Sequence, residues 1–117
     1  MKTNYKYQKG ELLIVEEKER ISQVQIEDIS HIECEDYISI IKTIDKRKIL
    51  VSRPISSFEN ELSEIGFCRI NRNSIINLSN MISFCKKPKP IVVMENKEEI
   101  SISRRRLQRF IKRLKNQ

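Results

Sequence analysis

The chain has 117 residues, 23 lysines and arginines against 16 acids, a net charge of +7 and 38% hydrophobic residues. That length holds one domain with one modest core, large enough to fold without disulfide staples. The longest aliphatic runs, Leu12 to Val15 and Ile91 to Met94, are four residues each, far short of the about 20 that a membrane-spanning helix needs, so no membrane partner is expected.

Residues 1–10 are polar, end in Gly10 and carry no apolar stretch of the kind a secretion signal requires. They read as a tail or linker, with the domain over residues 11–117. Short β patterns then dominate. Leu12 to Val15 reads as a strand. Ile21, Val24 and Ile26 are candidates for the inward face of the next one, and Glu27-Asp28-Ile29 reads as a turn. Ile32 follows, then the β-branched stretch Tyr37 to Ile44, the hairpin turn Asp45-Lys46-Arg47 and a return strand Lys48 to Ser52. One helix is signalled in the middle. Pro54 precedes it, Ser56 and Glu59 have capping-box spacing, and Phe58, Leu62 and Ile65 share one face. Gly66 is its natural terminator, and Glu59, Glu61 and Glu64 are expected to face water.

Phe67 begins a strand, and Asn73 or Ser74 could cap a short helical turn through Asn77. Met81 to Cys85 reads as a strand. A lysine- and proline-rich turn follows, then a hairpin of Ile91 to Met94 and Glu99 to Ile102. A final helix runs from Arg104 to Lys115, with Leu107, Phe110, Ile111 and Leu114 at i, i+3, i+4 and i+7. The fold class is mainly β with small helices (β+α): short antiparallel sheets, one mid-chain helix and a basic amphipathic helix at the end.

The charge is segregated. Residues 101–117 carry seven cations and no acid, residues 68–90 carry five cations and no acid, and the other 77 residues sum to −5. If the two basic segments meet in space they form a face suited to a polyanion, most often nucleic acid.

Catalytic chemistry has little to work with. The three cysteines, Cys34, Cys68 and Cys85, have no CxxC spacing, which points to reduced core or edge thiols in a cytoplasmic protein. His31 is the single histidine and reads as structural or surface. With only Gly10 and Gly66 there is no Gly-rich phosphate loop. Glu33 and Glu35 read as a solvated acidic edge rather than a catalytic pair. No enzyme activity, cofactor or metal is expected.

Two clusters break local rules. Ser103 is a good N-cap, yet Arg104, Arg105 and Arg106 follow it, and cations in a first turn oppose the helix dipole. Arginines beside free N–H groups can grip phosphates or pair with guanine. The second cluster, Arg69, Asn71, Arg72, Asn73 and Asn77, is rich in planar donors and acceptors. Such groups read bases or hold phosphates, although Asn77, between Ile76 and Leu78, is at least as suited to satisfying buried backbone.

In this order the clusters resemble the LytTR DNA-binding domain of bacterial transcriptional regulators (LytR/AgrA-like response regulators). The family's F-x-R-x-H-R-S-x-x-V-N motif stands here as Phe67, Arg69, Asn71, Arg72, Asn73, Ile76 and Asn77. Its S-R-R before a basic helix stands as Ser103, Arg104 and Arg105, and its early I-x-x-I-E-x-x-x-x-Y pattern resembles Ile29, Ile32, Glu33 and Tyr37, with three residues here rather than four before the tyrosine. The family's His and Ser are replaced by Asn71 and Asn73.

The resemblance implies a transcriptional regulator that binds duplex DNA by sequence, with loops inserted into successive major grooves. Its implied contacts are Tyr37, Arg69, Asn71, Arg72, Asn73, Ser103, Arg104 and Arg105. Arg72 and Arg105 align with base-reading positions; Arg69, Asn71, Asn73 and Ser103 align nearer the backbone. Direct-repeat promoter sites, a dimer on DNA and an upstream receiver domain of a two-component system, with this chain as the excised or standalone output domain, follow from the same resemblance. The competing reading is an interaction module whose basic C-terminal helix lies on an acidic protein or an anionic membrane surface.

Overall fold

The computed structural model describes residues 10–116; the proposed tail, apart from Gly10, lies outside them. Ten strands and two helices follow one another: β1 (Leu12–Glu17), β2 (Arg20–Gln25), β3 (Ile29–Glu35), β4 (Ile38–Thr43), β5 (Lys48–Val51), α1 (Ile55–Leu62), β6 (Phe67–Asn71), β7 (Ser74–Asn77), β8 (Met81–Cys85), β9 (Ile91–Met94), β10 (Glu99–Ser101) and α2 (Arg104–Lys115). They form three antiparallel sheets: a β1-β2 ribbon, a central sheet ordered β5-β4-β3-β7-β6, and a small sheet ordered β10-β9-β8.

The central sheet is the middle layer. Side chains alternate across a strand, and its two faces join different cores. Phe67, Ile75, Ile32 and Ile41 pack with Leu13, Val15 and Val24 of the ribbon and Phe58 and Leu62 of α1. Cys68, Ile70 and Ile76 pack with Val92, Met94 and Ile100 of the small sheet and Phe110 of α2. Phe110 is fully buried and meets Phe84 of β8 edge-on, ring centroids 5.1 Å apart.

Several local expectations change. Ile21 is 63% exposed: the strand period of two puts it opposite Val24, on the ribbon's solvent face beside Leu12 and Ile14. The capping box does not form. The helix starts two residues earlier than that box would place it, at Ile55 after Pro54, and Glu59 instead accepts from Arg69 Nη1 at 2.9 Å. Glu61 likewise pairs with Arg53 rather than facing water alone. Gly66 does end the helical segment, with φ +102 after a short 3-10 turn.

The proposed helical turn over Ser74–Asn77 is strand β7, buried on both faces between β3 and β6. Two adjacent isoleucines, one for each core, make that segment extended. Asn77 is fully buried: its Nδ2 donates to the carbonyls of Ile26 and Ile29, and its Oδ1 accepts from the Ser79 N–H and hydroxyl.

The acidic edge is also overturned. Strand β3 lies inside the sheet, and Glu33 belongs to a polar cluster. His31 is fully buried, with Nε2 3.2 Å from Glu33 Oε2 and Nδ1 2.9 Å from Ser30 Oγ. Lys42 Nζ lies 3.1 Å from both Glu33 and Glu98. A neutral imidazole that donates from Nε2 to Glu33 accepts at Nδ1 from the serine hydroxyl, so one tautomer satisfies both bonds.

The His31 hydrogen bond, opposed by burial and helped by Lys42, holds the Glu33 carboxyl well below its usual range, at about 2. A depressed carboxyl stabilises the fold above its unfolded value, and that contribution disappears as pH falls toward 2. Glu33→Gln should therefore flatten the acid side of the stability curve between about pH 5 and pH 2. Urea midpoints of both proteins across that window measure it; parallel curves would rule the linkage out.

Candidate nucleic-acid interface

The sheet's own connectivity gathers the proposed contacts. Antiparallel pairing of Glu33 with Ser74 puts the β3–β4 and β6–β7 turns at the same end of the central sheet. The Cys34 N–H donates to Asn73 O at 2.9 Å, and its thiol approaches Asn73 Oδ1 at 3.6 Å. The start of α2 is tied to the same place: Ser103 N–H donates to Ile70 O at 2.9 Å, and Asn71 Nδ2 donates to Ser101 O at 2.7 Å. Three segments far apart in sequence thus form one edge.

Within it the side chains divide into supports and projections. Asn71 and Ser74 pair across the β6–β7 turn, leaving Arg72 and Asn73 at its tip. Asn71 Oδ1 accepts from the Asn73 N–H at 2.7 Å, an Asx turn that closes the tip. Arg69 is half-buried beneath it. Its Nη1 is held by Glu59, while Nε and Nη2 donate to the carbonyls of Asn71 and Arg72. Arg69 and Asn71 therefore brace the tip, and the guanidinium of Arg72 is exposed with no described partner.

Tyr37 is 83% exposed on the neighbouring turn, where Asp36 takes a left-handed φ of +55. A concavity between the two tips is lined by Glu35, Asp36, Arg69, Arg72 and Asn73, so acids share this edge with the arginines. At the start of α2, Ser103 takes the N-cap backbone conformation, but its side chain accepts no cap hydrogen bond and its hydroxyl is buried without a described partner. Arg104 and Arg105 are exposed; Arg106 turns toward the body of the protein.

The family model for the LytTr DNA-binding domain matches residues 19–115. The chain belongs to the LytTR family. LytTR domains bind DNA in transcriptional regulation and are not enzymes, so the charged edge lies on a DNA-binding domain. Among solved structures, the chain is similar to the LytTr DNA-binding domain of a Bacillus cereus protein described as a methyl-accepting/DNA response regulator. The TM-score is 0.76 at 17% identity, covering 88% of this chain and 95% of that one; at that identity the likeness is one of fold. A comparison with curated proteins finds no match. Among the described residues, no helix is long and apolar enough to cross a membrane.

Sequence reading did not find the supports of this LytTR edge. Glu59, ten residues before Arg69, and the Ser101 carbonyl, thirty after Asn71, have no motif that marks them. A different signal was available for Arg106, Arg109 and Arg113, whose i, i+3, i+7 spacing places them on one stripe of α2.

Proposed function

We propose that the chain recognises duplex DNA by sequence, through Tyr37, the Arg69–Asn73 turn and Ser103–Arg105 set against successive major grooves. One observation carries this reading: the hydrogen bonds from Cys34, Asn71 and Ser103 that bring the three segments to one edge. Arg72 and Arg105 are the base readers. Asn73, Arg104 and the first-turn N–H groups of α2 hold phosphates. Direct-repeat sites engaging one protomer per repeat, residues 11–117 acting as one output domain, and cytoplasmic control by an upstream receiver domain complete the proposal.

Selection of bound duplexes from a random library, followed by affinities at one salt concentration, tests it. The selected repeat should bind about a thousandfold or more tighter than random duplex. Equal affinities would refute sequence readout. Arg104→Ala should weaken binding evenly across sequences and lower the salt slope by about one, as for a phosphate contact. A loss confined to the preferred site would make Arg104 a base reader instead.

The helix-on-a-surface alternative has less support. Phe110 is buried, and Leu107, Ile111 and Leu114 pack against the second core. The apolar stripe of α2 is already covered and is not free to lie on a membrane.

A further inference from the structure

Behind the proposed DNA edge, between α1 and α2, lies a concavity of about 240 Å³ lined by Arg69, Arg106, Arg109 and Arg113 and by a single acid, Glu59. Only Arg69 is paired with that acid, at 2.9 Å. Arg113 Nη2 donates to the Ser63 carbonyl of the turn after α1. Arg106 and Arg109 make no ion pair or side-chain hydrogen bond with any described residue.

Four guanidiniums around one hollow repel one another. Burial, together with the nearby guanidiniums of Arg69 and Arg105, pushes the ionisation of Arg106 below its ordinary value. Arg69 and Arg113 hold backbone carbonyls, but Arg106 and Arg109 make no bond that offsets the crowding, and the apolar contacts of α2 come from Phe110 and its neighbours. Like charge left uncompensated at Arg106 and Arg109 makes the hollow a candidate binding site.

We propose that this hollow binds a phosphate-class anion. Guanidinium forks match phosphate oxygens bidentately. The three guanidiniums with no ion pair among the described residues suit the several oxygens of a tetrahedral phosphate better than the two of a carboxylate. Pockets for drug-sized ligands run about 300–1,000 Å³, so this one takes a phosphoryl group rather than a whole nucleotide. The group comes either from a duplex backbone or from a free phosphorylated small molecule. Because Arg69 also holds the Asn71 and Arg72 carbonyls, an anion here would bear directly on the β6–β7 tip.

The test needs no DNA at first, so it fails or succeeds independently of the sequence-readout proposal. The whole chain is titrated with inorganic pyrophosphate at constant ionic strength, following arginine Nε–Hε resonances. Saturable shifts of Arg106 and Arg109 are expected, with affinity roughly tenfold or more weaker in R106Q/R109Q. That variant should melt no lower than the parent, since it removes repulsion. No saturable shift, or equal affinity in the variant, would overturn the site. R109K alone, which keeps the charge and loses the fork, should bind with intermediate affinity and guards against a misfolded double variant. Duplex DNA is then added to the loaded protein. Displacement of pyrophosphate assigns the pocket to a backbone phosphate; its retention assigns the pocket to a free phosphorylated molecule.

Discussion

Arg72→Ala and Arg105→Ala are each expected to weaken binding to the preferred duplex by about 1–3 kcal/mol and to relax base preference at separate positions. Neither exposed guanidinium supports the fold. Arg72 contributes only its carbonyl to the bracing of its own turn, through Arg69. Melting temperatures should stay level while affinity falls, and the two losses should add, because the side chains project from different segments. The measurement is a pair of binding isotherms at one salt concentration, on the selected duplex and on a random one. A variant that bound both duplexes proportionately less tightly would show that its arginine holds phosphate and reads no base. A variant that kept full affinity for the selected duplex would remove that residue from the interface.

The largest effect on stability is expected at Asn77. Asn77→Ala removes two donated bonds, to the Ile26 and Ile29 carbonyls, and an acceptor that organises the Ser79 turn. Each buried hydrogen bond is worth about 1 kcal/mol, and a stranded polar group costs 1–3, so a loss of about 2–3 kcal/mol follows, or roughly 10 °C in Tm. Asn80 moderates it. Its Nδ2 donates to the Glu27 and Ile29 carbonyls, so the Ile29 carbonyl keeps a partner when Asn77 goes. Removing both amides strands that carbonyl. The double variant should therefore lose more than the sum of the singles, with a coupling of about 0.5 kcal/mol or more. Thermal and urea unfolding of the four proteins measures it; strict additivity would mean that the two amides act independently. Duplex preference below the melting transition should be unchanged in either single variant.

The contrast between these residues shows what was legible in the sequence. Arg72 and Arg105 announce themselves by charge and motif, and α2 by its apolar spacing; the helix begins and ends where the pattern predicts. Strand β3 is harder to see. Its His31, Glu33 and Glu35 suggest a wet, peripheral segment, yet the strand lies inside the sheet between β4 and β7, where Lys42 of the neighbouring strand and the distant Glu98 meet His31 and Glu33. Strand β7 misleads for a related reason. Asparagine and serine favour caps and turns locally, but the two isoleucines between them are claimed by two cores at once. Arg69 is the instructive case at the interface. Motif alone places it among the contacts, and only the position of Glu59 in space shows that its guanidinium is occupied in holding the turn. Local patterns thus locate the edge, while the division between projecting and supporting side chains depends on partners that no spacing rule supplies.

Strand β6 supports both arginine-bearing segments: its last residues lead into the Arg72 turn, and its Ile70 carbonyl anchors the start of α2. On the reading proposed above, in which Arg72 and Arg105 contact bases, the spacing between them is set through this one strand. A target that presents its base pairs at a different pitch would then meet contacts tied to one strand. The misfit falls on the duplex, which must bend or twist at a cost fixed by its own stiffness. Base pairs that no side chain touches, those between the two contact sets, then become part of the address. Stiff sequence there should count against a site as surely as a wrong base beneath Arg72.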